Sequence, residues 1–100
     1  MADDNPSPLE HQHLAFLAYQ LEDDKRFMAY ALRLYRDREQ LTAQDISDEL
    51  HTTPEMLVRL ALCKRPNKRS PQFTEQLQQL SVYTGIDIER LKSLFQRLRH

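Results

Sequence analysis

Two short amphipathic patterns lie almost end to end in the middle of this chain, and their junction limits the fold more than any other feature. Thr42 precedes the first, whose Ile46 and Leu50 lie one turn apart and face inward. Thr53 and Pro54 open the second, because Thr accepts a hydrogen bond from an orphan helix N–H and Pro suits the first helical position. Only His51, Thr52 and Thr53 separate the two, so the sequence predicts two short helices with a tight joint.

The surrounding residues extend this into an all-α reading. The chain has one Gly and eight aromatic residues, is rich in Leu, Ala, Gln, Glu and Arg, and shows no sustained alternation of apolar and polar positions. Ser7, Pro8 and Glu10 start a helix near residues 8 to 21 with a stripe of Leu14, Leu17, Ala18 and Leu21. Asp23 or Asp24 caps a second, whose inner face is Phe27, Tyr30 or Ala31, and Leu34 or Tyr35, ending near Glu39. Thr74 caps a helix carrying Leu77, Leu80 and Tyr83; Gly85 suits a left-handed helix end; Asp87 caps a last helix with Leu91, Leu94, Phe95 and Leu98. Six helices are expected in a single domain over residues 9–100, after a polar, proline-broken, disordered tail at 1–8.

With 100 residues there is room for one core and no separate catalytic domain. The net charge of -1 conceals a polarity: residues 1–50 carry 11 acids and 5 bases, whereas residues 51–100 carry 9 bases and 4 acids. An anionic partner should therefore meet the second half. The single Cys63 cannot form an internal disulfide, and no leader-like or membrane-spanning apolar run is present, so a cytoplasmic location with no membrane association is the expectation.

From Leu41 to Pro66 the pattern "LTAQDISDELHTTPEMLVRLALCKRP" resembles the lambda-repressor-like (Xre/Cro-type) helix-turn-helix family. "LT" opens the family's second helix, Ile46, Leu50, Leu57 and Leu60 match its apolar positions, and "CKRP" stands where the family usually has Gly-Lys-Arg-Pro. Leu32, Tyr35 and Arg36 resemble its first-helix pattern. The resemblance implies a domain of about five helices over residues 27–98, a helix-turn-helix motif at 42–64, and an additional N-terminal helix outside the family pattern. It also implies duplex DNA as partner, with helix 53–64 in the major groove. Three positions depart from the pattern. Ala43 replaces the usual glutamine, moving that side chain to Gln44, about 100° around the helix. His51 replaces a turn glycine, which predicts a different turn geometry. Ala61 replaces a glutamate that pairs with the first-helix arginine, so Arg36 must find another partner or stay exposed.

Helical spacing alone places Leu57, Leu60, Ala61 and Lys64 on one side of the second central helix and Glu55, Val58, Arg59 and Leu62 on the other. Thr53, Glu55, Val58, Arg59 and Leu62 are thus the candidate base-facing set. Arg59 suits a guanine, Glu55 a cytosine amine and Val58 a thymine methyl. Glu55 equally suits a helix N-terminus through the dipole, and Arg59 equally suits a solvated surface. Lys64, Arg65, Lys68 and Arg69, within six residues, are the candidate phosphate contacts, together with Gln44. Met56, Val58 and Leu62 would form an apolar patch on the reading side, which marks either a protein interface or a surface covered by the extra N-terminal helix.

Other chemistry finds little support. His11 and His13 fall on different faces of a helix with no complementary Cys, so no metal is expected. Cys63 lacks a local histidine and acid to make a nucleophile, "EDD" at 22–24 lacks the ligand spacing of a calcium loop, and one glycine cannot build a phosphate-cradling loop. Neither a cofactor nor catalysis is expected. The last helix either closes the core or pairs with its copy in a homodimer. The function these residues predict is DNA-binding transcription regulation. The alternative is a protein-interaction module, antitoxin-like or a regulatory adaptor, gripping its partner through Met56, Val58 and Leu62 or through helix 9–21.

Overall fold

The computed structural model describes residues 8–98, and these are all-helical: α1 Pro8–Gln20, α2 Met28–Glu39, α3 Ala43–Glu49, α4 Pro54–Ala61, α5 Phe73–Thr84 and α6 Ile88–Arg97, with a 3-10 turn at Leu21–Asp23. The tail expected at 1–8 lies outside the described residues except for Pro8, which opens α1. Ser7, expected to cap that helix, also lies outside them.

The central pair forms as its local signals require. Thr42 Oγ1 accepts from the Asp45 N–H at 3.0 Å while the Asp45 carboxylate accepts from the Thr42 N–H at 2.9 Å, a reciprocal cap on α3. Thr53 Oγ1 accepts from the Met56 N–H at 3.2 Å and starts α4. Between them the chain turns as it would around a glycine, contrary to the expectation of a different geometry. His51 sits at φ 52°, its N–H bonds the Asp48 carbonyl at 3.1 Å, and the Thr52 N–H bonds the Ser47 carbonyl at 2.9 Å. That is a Schellman closure with a side chain at the left-handed position.

Several element boundaries differ from the local reading, each for a tertiary reason. α2 begins at Met28 without a side-chain cap, because Phe27 is extended and pairs with Lys64 in an isolated antiparallel bridge. Asp24 instead closes its own turn, accepting from the Arg26 N–H at 3.0 Å. α4 stops at Ala61 rather than 64, because the following residues leave the helix to make that bridge. Thr74 lies inside α5, which starts at Phe73 after Ser70 Oγ takes the Gln72 N–H at 3.1 Å.

The core runs through α2 to α6, with Met28, Ile46, Leu60, Leu77, Ile86, Leu91 and Leu94 almost fully enclosed. Between Glu10 and Gln20, α1 adds only Ala18 to it; Leu14 and Leu21 are half-buried, and Leu17, expected on the buried stripe, is exposed. Tyr83, placed in the core by spacing, is exposed as well. The Tyr35 hydroxyl donates to Glu49 at 2.8 Å, Arg97 donates to that hydroxyl at 3.3 Å and pairs with Glu49, and Arg90 reaches the Glu49 carbonyl at 3.2 Å. This network joins α2, α3 and α6. Arg36, with Ala61 rather than a glutamate on α4, pairs with Glu22 at 3.3 Å.

Candidate phosphate-binding surface

The loop after α4 is held at both ends. The Met28 N–H donates to the Cys63 carbonyl at 2.9 Å and the Arg65 N–H to the Arg26 carbonyl at 2.7 Å, so the segment before α2 lies directly beside the basic loop. Further along, Asn67 Oδ1 accepts from the Arg69 N–H at 3.0 Å, the Ser70 N–H bonds the Asn67 carbonyl at 3.0 Å, and the Asn67 N–H bonds Gln76 Oε1 at 3.3 Å. Short polar side chains thereby fix the directions from which Lys68 and Arg69 leave the backbone.

The result is a cleft of about 570 Å³ lined by Lys25, Arg65, Lys68 and Arg69 over a floor that includes Phe95 and Leu98, with no carboxylate among its lining residues. A second cleft of about 360 Å³ shares Arg65 and adds Lys64, Gln76, Gln79 and Tyr83. Arg65, Lys68 and Arg69 of the expected phosphate set thus meet in one place, and Lys64 adjoins them. Lys25 was missed by sequence reasoning. It lies 40 positions before Arg65, and no local pattern signals that a backbone bridge will unite them.

The cations within this surface differ in availability. Asp24 is drawn down to about 2 by its hydrogen bonds to Arg26, first from the guanidinium and then from the backbone N–H. Arg26 is therefore largely neutralised by its neighbour, the pair closing at 2.7 Å. Lys68 donates to the Leu98 carbonyl at the end of α6. Partial burial, and secondly the charge of Arg65, push the Lys68 ammonium below its usual range. The Arg65 guanidinium lies 6.0 Å from the Tyr30 ring centroid. Lys25, Lys64 and Arg69 have no ion-pair partner among the described residues.

The remaining expected site residues are placed differently. Gln44 is exposed on α3, donates to Asp48 of its own helix at 2.9 Å and lines neither cleft. Of the base-facing set only Thr53 is exposed; Glu55, Val58, Arg59 and Leu62 are half-buried. α4 is contacted by α1, α2, α3 and α5, and no residue from Glu55 to Cys63 is exposed. Val58 and Leu62 pack against the core, as does Cys63, whose thiol donates to the Arg59 carbonyl at 3.2 Å and is pushed up by burial. Arg59 stacks 6.0 Å from the Tyr83 ring centroid. The side of α4 expected to face outward is therefore half-buried, and the extra helix α1 packs on α4.

Among the described residues no group of His, Cys, Asp and Glu is arranged to hold a metal ion, and no helix is long and apolar enough to cross a membrane. These features define an all-helical domain with an assembled cationic surface. No family model, curated protein or solved structure was found to match the chain.

Proposed function

We propose that this protein binds duplex DNA through its phosphates, with Lys25, Lys64, Arg65, Lys68 and Arg69 as the contacting groups. The observation that carries the reading is the convergence of cations from both halves of a chain of net charge -1 onto one cleft that has no carboxylate among its described lining residues. Like charges held together raise the energy of the free protein, and a polyanion relieves that repulsion while releasing its own counterions. The resemblance of residues 41–66 to the helix-turn-helix family favours duplex DNA over other polyanions and a role in transcription regulation.

Fluorescence anisotropy with random-sequence duplexes tests this. Binding should weaken steeply with salt, and replacing Arg65 and Arg69 together by Ala should flatten the log K against log salt slope by about 1.8, at about 0.9 per phosphate contact. Absence of salt-dependent duplex binding by the unaltered chain would refute the reading.

A protein-interaction role is favoured by one separate observation. Phe16 and Tyr19 lie one turn apart on α1, 57% and 69% exposed, and amphipathic aromatics at that spacing suit contact with another chain. On this second reading Phe16→Ser and Tyr19→Ser would abolish partner capture and leave duplex binding unchanged.

A further inference from the structure

Resting on the duplex-binding reading, we infer that α1 is a detachable cover that competes with DNA for the outer face of α4. Three features of the fold support this. First, α1 packs on α4, and the side chains of α4 spaced to face outward, Glu55, Val58, Arg59 and Leu62, are all half-buried.

Second, residues 10–20 of the cover bury little. Between Glu10 and Gln20 only Ala18 is buried, whereas α2 alone buries five side chains. Phe16, Leu17 and Tyr19 of α1 point outward, so residues 10–20 leave more large apolar side chains in water than they enclose. A stretch whose one buried side chain is a methyl group, with Leu14 half-buried, gains little from staying there. Segments with few buried contacts open at low free-energy cost.

Third, the base of α1 is anchored where a hinge would need to be. Immediately after it, Glu22 pairs with Arg36 at 3.3 Å and its carbonyl takes the Arg33 guanidinium at 3.1 Å. The 3-10 turn Leu21–Asp23 therefore stays docked on α2 while the helix before it swings. Lifting α1 uncovers Glu55, Val58, Arg59 and Leu62 and leaves the basic surface in place. Backbone contacts and an inserted helix could then act on the same duplex. Affinity in the resting protein equals that of the open form multiplied by the fraction of molecules in which α1 is lifted.

Hydrogen exchange on the full chain, with and without a random-sequence duplex, tests the inference together with the neutral variant Ala18→Gln. Duplex should accelerate exchange of amides 10–20 and protect those of 55–62. A18Q, which overfills the α1 contact without changing charge, should raise duplex affinity at least about tenfold. If duplex binds while amides 10–20 keep their protection and A18Q binds with unaltered affinity, the cover is refuted and the phosphate surface stands. If neither protein binds duplex, both proposals fall.

Discussion

Lys25 separates a phosphate surface built by tertiary structure from a basic loop acting alone. It lies in the segment joining α1 to α2, yet lines the same cleft as Arg65, Lys68 and Arg69. Of the five contacting groups Lys68 adds least, because it already donates to the Leu98 carbonyl, so the salt dependence is set by Lys25, Lys64, Arg65 and Arg69. Four contacts give a log–log salt slope of about -3.6, so affinity should drop about 150-fold between about 50 and about 200 mM salt. Removing one contact lowers the slope to about -2.7 and the drop to about 40-fold, with a loss of about eightfold in affinity at about 100 mM salt. Lys25→Ala should produce this change. Lys92→Ala is the matched control, because Lys92 pairs with Glu89 at 3.3 Å on α6, lines neither cleft and carries the same charge. Anisotropy titrations at four salt concentrations resolve the two slopes. Equal slopes for K25A and K92A would show that only net charge matters and that the bridge-built surface has no part in binding.

Two further predictions concern the scaffold around the tight turn. Ser47 is fully enclosed and its hydroxyl has no hydrogen-bond partner among the described residues, so Ser47→Ala removes a desolvated polar group and adds the best helix former. Stability should rise by about 1 to 2 kcal/mol in a denaturant melt; a fall would mean that the hydroxyl is bonded after all. His51 and Gly85 make a converse pair at φ 52° and 74°. His51→Gly should stabilise by up to about 1 kcal/mol, and Gly85→Ala, whose added methyl has nothing within 4 Å to strike, should destabilise by about 1 kcal/mol through backbone strain alone. Thermal melts moving both variants in the same direction would contradict the left-handed geometry.

Local chemistry was sufficient for most of the architecture. Thr42, Thr53, Pro54 and Asp87 start their helices where the pattern places them, since a cap acts over three residues and needs no distant partner. Gly85 ends α5 in the left-handed region for the same reason. The spacing of Leu91, Leu94, Phe95 and Leu98 correctly identified the buried side of α6. The cations of the basic loop were also legible, because they are contiguous.

Three decisions belonged to the tertiary fold. The pairing of Phe27 with Lys64 shortened α2 and α4 and carried Lys25 to the loop; a backbone bridge between distant segments has no side-chain signature. The partner of Arg36 came from Glu22, a residue that reads locally as part of a solvated acidic turn. Above all, α1 packs on α4. The amphipathic spacing of α4 distinguishes its two sides but cannot say what lies against either one. Which face meets solvent depends on where a helix more than thirty residues upstream comes to rest, and only the assembled chain decides that.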